Sequence, residues 1–277
     1  MPVRLITDWR NLSPGGRGAA VAVGAFDGVH RGHQAVIAEA KAAADRLNTP
    51  LGVVSFDPHP RRFFQPEAAP FRLMTPDQMA RALAPLGVDR LYLLPFDAEM
   101  AGMSDRDFAD QVLHRGLGIV HAAVGFDFTF GKGRSGSPQA LAGYGREMGF
   151  TVSAAQRVDD ADGLKLSSSA VREALKAGDM DRAAAILGRP FAIQAEVIHG
   201  DKRGREIGVP TANMALGDYC ARPTGSTPPA PACPTAGCWT ASPAWACAPC
   251  SAPRPPCWRL GCSISTATST ARRWRPS

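Results

Sequence analysis

Over the first two thirds of the 277 residues, apolar positions follow two alternating rhythms. Short apolar runs rich in Val, Ala and Leu at 20–24, 51–56, 90–94, 122–126 and 151–154 read as strands. The stretches between them, 33–48, 76–86, 105–117 and 138–148, carry apolar residues at three- and four-residue spacing and read as amphipathic helices. Strands alternating with helices in this way predict a parallel sheet covered on both faces. Ligands of such sheets bind beyond the carboxyl ends of the strands, so residues just after a strand are where chemistry is expected. Two more helices are predicted at 167–177, with serines ahead of its apolar run, and at 180–187. Arg189 and Pro190 then open a segment, 191–213, of β character, which puts a domain boundary near Leu187. No internal repeat is visible.

From Cys220 the rhythm collapses. Residues 221–277 hold eleven prolines, with Ala, Ser, Thr, Cys and Trp scattered without period. Proline at that density breaks helix and strand alike. All seven cysteines lie from Cys220 onward, no acid follows Asp218, and six arginines follow Tyr219. Removing those six from the 31 basic residues leaves 25, which balances the 25 acidic residues. The net charge of +6 therefore belongs to the tail and does not argue for a nucleic-acid partner. No apolar run is long enough to span a bilayer, and the first residues lack the apolar core of a signal peptide. A body without cysteine adds to the expectation of a cytoplasmic protein with no membrane association. The pattern carries no signal for oligomeric state.

Chemistry first shows after the first predicted strand, in VAVGAFDGVHRGHQ. A strand ending at Gly24, a turn, and a helix starting near Gly32 make a phosphate-binding geometry, because a helix N-terminus offers free N–H groups and a positive dipole end. His30 and His33 bracket Gly32, whose missing side chain allows close approach of a phosphate. Two imidazoles there can donate to phosphate oxygens as charge builds in a phosphoryl transition state. The plainer alternative is two histidines capping a helix. The spacing does not fit a zinc-binding helix, and the body offers no cysteine ligand. Ser167, Ser168 and Ser169 before the 167–177 helix can cap it or bind phosphate, with Arg172 one turn in.

Together the strings GAFDGVHRGHQ, SFDPHP (55–60), GFDFTFGKGRSG (125–136), KLSSSAVREAL (165–175) and HGDKRGREIGVPTAN (199–213) resemble the bacterial bifunctional riboflavin kinase/FMN adenylyltransferases, of the nucleotidylyltransferase superfamily. The resemblance covers roughly residues 15–219. It implies a Rossmann-like parallel-sheet nucleotidylyltransferase domain over 1–186, the truncated start of a riboflavin-kinase β-barrel over 187–219, and an aberrant, disordered tail over 220–277. It also implies transfer of AMP from ATP to FMN, giving FAD and pyrophosphate with Mg²⁺ present. In the family the second domain phosphorylates riboflavin.

By the same resemblance, His30, His33 and Arg172 are catalytic. Gly24, Phe26, Asp27, Gly32, Asp127, Ser167, Ser168 and Ser169 bind nucleotide. Asp57, Phe63 and Phe128 bind flavin, although Phe63 and Phe128 are equally suited to ordinary core packing. Lys202 and Gly204 match the kinase's phosphate loop, and Thr211 and Asn213 its Mg²⁺–nucleotide ligands.

The chain departs from the family in two places. Ser169 stands where the family has Thr, and the catalytic Glu that follows the kinase's PTAN motif is missing, since no Glu follows Glu206. A frameshift after Tyr219 accounts for the tail. Read one base out of phase, residues 221–228 can give RPPYGVYA and residues 233–249 VPDGRVLDGVAGLGVRP, both similar to the family's kinase barrel. Loss of one G from a valine codon produces the switch. A metal-binding tail is the competing account, but its one C-x-x-C, Cys247 to Cys250, has no second pair or histidine at zinc spacing. Two further functions stand beside the main one: a nucleotidylyltransferase with another phosphorylated acceptor, and a decayed, non-enzymatic flavin-binding protein.

Overall fold

The apolar runs become strands because their alternate side chains find partners on both faces of one sheet. The structure, a computed structural model, describes residues 2–160, 163–198 and 213–220. Six parallel strands, β1 (Arg4–Ile6), β2 (Ala20–Val23), β3 (Leu51–Asp57), β4 (Arg90–Pro95), β5 (His121–Gly125) and β6 (Thr151–Ala155), lie in the order β1-β4-β3-β2-β5-β6. The register aligns Ala20 with both Leu51 and His121. From β2 the chain winds one way through β3 and β4, then returns to lay β5 and β6 on the other side. The crevice between the carboxyl ends of β2 and β5 is therefore the switch point at which such sheets bind ligands.

The helices are α1 (Arg31–Leu47), α2 (Pro60–Phe64), α3 (Pro76–Leu83), α4 (Ala98–Gly102), α5 (Asp105–Asp107), α6 (Pro138–Met148), α7 (Ser168–Ala177) and α8 (Met180–Leu187). Along β2, Val21 and Val23 point into one core with Tyr92, Leu113, Leu117 and Leu141. Ala20 and Ala22 point into the other, where α1 packs through Ile37, Ala40 and Ala43. Burying a residue such as Ile37, 1% exposed, contributes about 1.5–3 kcal/mol. Gly52 in β3 makes room for a neighbour: a Cβ there would lie 2.7 Å from the Tyr92 ring.

The short helices α2 and α4 were not expected, and two further elements differ from expectation. Strand β1 escaped the pattern because it is only three residues long and two of them are exposed, so no alternation marks it. The helix expected at 105–117 is α5 followed by a π-helical stretch, Phe108–Gly116, in which Leu117 N–H bonds the Val112 carbonyl. Apolar spacing alone does not separate these two windings.

Helices α7 and α8 build a third, smaller core around Leu73, Leu166, Val171 and Leu187, and Cys220 is buried in it. Contacts thus cross the expected boundary near Leu187. Strands β7 (Val197–Ile198) and β8 (Asn213–Met214) form a small antiparallel pair. Residues 218–220 return to the first domain: Arg72 N–H bonds the Asp218 carbonyl at 2.8 Å, and Cys220 N–H bonds the Arg72 carbonyl at 2.7 Å. The Tyr219 hydroxyl is 2.5 Å from Gln78 Oε1 and accepts the Gln194 N–H at 3.1 Å. Gln78 itself closes the capping box of α3 with Thr75. Tyr219→Phe would remove hydrogen bonds to half-buried Gln78, which keeps the Thr75 N–H, and to exposed Gln194, so a loss of about 0.5–1.5 kcal/mol is expected in denaturant unfolding. An unchanged midpoint would show that the strap contributes nothing. Lys202, Gly204, Thr211 and residues 221–277 lie outside the described residues, whereas Cys220, expected to belong to the disordered tail, is placed and buried. Among the described residues no helix is long and apolar enough to cross a membrane.

Candidate active site

The turn after β2 is tightly wound. Phe26 (φ 48°), Gly28 (φ 90°) and Val29 (φ 41°) all adopt left-handed backbone. Glycine takes this freely, but Phe26 and Val29 do so at a cost of about 1–2 kcal/mol each. Both side chains are buried, 1% exposed, so packing offsets the strain. Asp27, between them, accepts the Leu73 N–H at 2.9 Å and an Arg172 N–H at 2.6 Å. Burial pushes the Asp27 carboxyl up, and the Arg172 guanidinium offsets part of that. Arg172 also donates to the Phe71 carbonyl at 2.7 Å. It stands behind the turn as the counter-ion of Asp27 and is not among the residues that line the cleft.

His30 caps α1. Its Nδ1 accepts the His33 N–H at 3.2 Å, so the proton of the neutral ring sits on Nε2. The two imidazoles stack at 3.6 Å, and Phe26 tilts against His33 at 5.0 Å. Among the described residues, buried His33 Nδ1 has no hydrogen-bond partner. Gly32 is needed for contact: a Cβ there would lie 2.8 Å from the Leu166 carbonyl oxygen. That contact brings the start of α7 beside the start of α1. Ser167 caps α7, accepting the Ala170 N–H at 3.2 Å, and the Ser168 hydroxyl donates to the Asp27 carbonyl at 2.7 Å.

Two helix N-termini therefore open on one cleft of roughly 210 Å³, lined among others by His30, His33, Asp127, Lys165, Ser167 and Ser168. Lys165 pairs with Asp127 and lies 4.9 Å over the Phe126 ring. Gly24 and Phe26 are not among the residues that line the cleft, although Phe26 touches His33, and Ser169 is exposed on α7 outside it.

Burial is the main reason that the His30 pKa falls to about 4, with Lys165, Arg172 and Arg189 adding to it. His33 is lowered for the same first reason, then by His30 itself, and His59 falls to about 4, again chiefly by burial. These rings are neutral near pH 7. Above pH 6.5 they are neutral in folded and unfolded chains alike, so they add no pH dependence. As pH falls from about 6.5 to 4 the unfolded chain binds the protons and the folded one does not, so stability is lost, by about 3 kcal/mol for His30 alone. Urea midpoints should decline over that window, and His30→Gln should flatten the decline. A level wild-type profile would contradict neutral, buried rings.

The flavin candidates lie elsewhere. Asp57 ends β3 and pairs with Arg72. Phe63 and Phe128 sit at opposite ends of a continuous run of ring contacts through Phe96, Phe56, Phe108 and Phe130. Phe128 stacks on Phe130 at 5.3 Å and packs against the first core. Asn213 is placed in β8, paired with Ile198. Sequence reading missed Lys165 and Arg189. Lys165 stood in a quoted motif, two residues before the serines, and a cation ahead of a helix start was the signal. Arg189 offered none.

The FAD synthetase family model matches residues 13–170 and the riboflavin kinase family model residues 187–227. The chain is 47% identical over 214 residues to the bifunctional riboflavin kinase/FMN adenylyltransferase of Pseudomonas fluorescens, covering 77% of this chain and 68% of that protein. The chain belongs to the bifunctional riboflavin kinase/FMN adenylyltransferase family. The Escherichia coli (strain K12) protein of the same name is 39% identical over 215 residues, with the same coverage. The chain thus spans about two thirds of the length of these family members. A solved structure described as a macrolide-efflux protein from Streptococcus pneumoniae is 30% identical, with a TM-score of 0.66, covering 79% of this chain and 70% of that one. The α/β fold with its six-stranded parallel sheet is the fold expected for the family's first domain.

Proposed function

We propose that this chain transfers AMP from ATP to FMN, forming FAD and releasing pyrophosphate, and that it does not phosphorylate riboflavin. The observation that carries this reading is the convergence of two helix N-termini on a neutral histidine pair and Lys165 in one cleft. An FMN phosphate oxygen attacks the α-phosphorus of ATP while the bond to the leaving pyrophosphate breaks. Charge grows on the phosphoryl oxygens, and the His30 Nε2–H, the free N–H groups of α1 and α7, and Lys165 are placed to receive it. Arg172 supports this arrangement through Asp27 rather than by touching phosphate. The half-buried rings of Phe56, Phe63, Phe96 and Phe128 offer flat apolar surface to an isoalloxazine.

Among the described residues no group of three or more His, Cys, Asp or Glu is arranged to hold a metal. Mg²⁺ suits this site as an ion carried in on the ATP phosphates, where it supplies charge neutralisation. A chain that works on ATP and FMN belongs in the cytoplasm, and its neutral body gives nucleic acid no purchase.

The test is incubation with FMN and Mg-ATP, with flavins resolved by chromatography. FAD should form with an equal amount of pyrophosphate, and label in the α-phosphate of ATP should enter FAD. Turnover of a different phosphorylated acceptor in place of FMN, or flavin binding without turnover, would overturn the reading.

A further inference from the structure

The turn between β2 and α1 is strained at Phe26 and Val29, and its carbonyls need partners. The Gly28 carbonyl accepts from Arg189 Nη2 at 2.6 Å, and the Val29 carbonyl accepts from Arg189 Nη1 at 3.1 Å. Nη1 also reaches the Leu187 carbonyl at 3.4 Å, and Gln34 Nε2 bonds the same Val29 and Leu187 carbonyls at 3.0 and 3.2 Å. One planar guanidinium therefore ties the end of α8 to the two residues immediately before His30. Among the described residues no carboxylate pairs with it, so no neighbouring acid neutralises its charge. It is one of the cations that keep His30 and His33 neutral. Arg189 lies inside the segment that matches the riboflavin kinase family model, beyond the end of the FAD synthetase match at residue 170.

We propose that Arg189 is a positioning residue for adenylyl transfer: it clamps the Gly28–Val29 turn so that His30 and the first N–H groups of α1 face the ATP phosphates, and its unpaired charge favours the triphosphate. The inference rests on the FMN adenylyltransferase reading above for its turnover assay, but not for its ATP-binding assay. It makes the opening of the kinase-like segment a working part of the adenylyltransferase site.

The experiment uses the full chain as wild type, Arg189→Ala and Arg189→Lys. Arg189→Ala should lower kcat for FAD formation by about 10–100-fold and weaken Mg-ATP binding by titration calorimetry about tenfold, since a displacement of about 1 Å at a reacting centre has effects of this size. Arg189→Lys keeps the charge and loses the two-pronged hold, so it should recover ATP affinity more than kcat. Added guanidinium chloride at low, non-denaturing concentration should partly restore kcat to Arg189→Ala, where sodium chloride at equal ionic strength should not. A purely structural arginine would lower the melting temperature and leave kcat of the folded enzyme and ATP affinity alone. That result, within twofold of wild type and without rescue, would overturn the proposal. If Arg189→Ala does not fold, wild-type kcat and ATP affinity in Arg189→Lys would overturn it equally. Wild-type chain that binds ATP but makes no FAD would instead defeat the FMN reading, and calorimetry on the variants would still decide the role of Arg189.

Discussion

His30→Ala and His33→Ala are each expected to reduce kcat for FAD formation by about 10²–10³-fold, the size seen when one preorganised donor to a developing oxyanion is removed. Both rings line the cleft, both are held neutral near pH 7 by burial, and His30 has its proton fixed on Nε2 by the bond its Nδ1 accepts. Neutral rings leave the charge of the cleft to Lys165 and the helix ends, and act as fixed donors needing no rearrangement during reaction. His30 also caps α1, so removing it lowers stability by about 0.5–2 kcal/mol as well. His30→Asn separates the two effects: an amide oxygen can still cap the helix, so stability should hold while activity falls. Steady-state rates together with thermal melts give the answer. Near-wild-type kcat in His30→Asn and in folded His33→Ala would remove the histidine pair from the mechanism.

Riboflavin supplied with Mg-ATP as the only flavin is expected to yield no FMN, and therefore no FAD, in the preparation that converts FMN to FAD. The kinase of this family needs a base to take the proton from the riboflavin hydroxyl, and the resemblance places a glutamate after PTAN. No Glu follows Glu206 in this chain. A positioned base contributes roughly 10²–10⁴-fold, and loss of the substrate-holding walls adds a positioning deficit that can be larger. Cys220, the first residue of the altered stretch, still fits, since a buried thiol behaves as a small apolar group where a valine is expected. The riboflavin kinase match ends at residue 227, a few positions into the altered stretch. FMN formed from riboflavin at an ordinary enzymatic rate would refute the expectation, and the DNA sequence around codon 220 would show whether a base has been lost.

By itself the sequence determined the succession of β2 to β6 along the chain, the longer helices between them, and the glycine-containing turn at 24–33. These are local matters. A period of two or of three to four residues, a glycine at a turn and a serine before a helix act within a few positions, and that is the range a single sequence displays. The same range explains why His30, His33, Ser167 and Ser168 were found and do line the cleft. Only the tertiary structure decided which partner each polar group takes. Arg172, expected to be catalytic, is drawn to Asp27 across 145 positions because a buried carboxylate needs a counter-ion. Lys165 faces Asp127 across 38 positions, and Arg189 reaches the Gly28 carbonyl across 161. Asp57 and Phe63 follow β3, which the sheet order places on the opposite side of β2 from β5, whereas Phe128 follows β5 and stacks on Phe130. Pairings over such distances depend on which strands lie side by side and which surfaces are buried, and no periodicity in the chain records them.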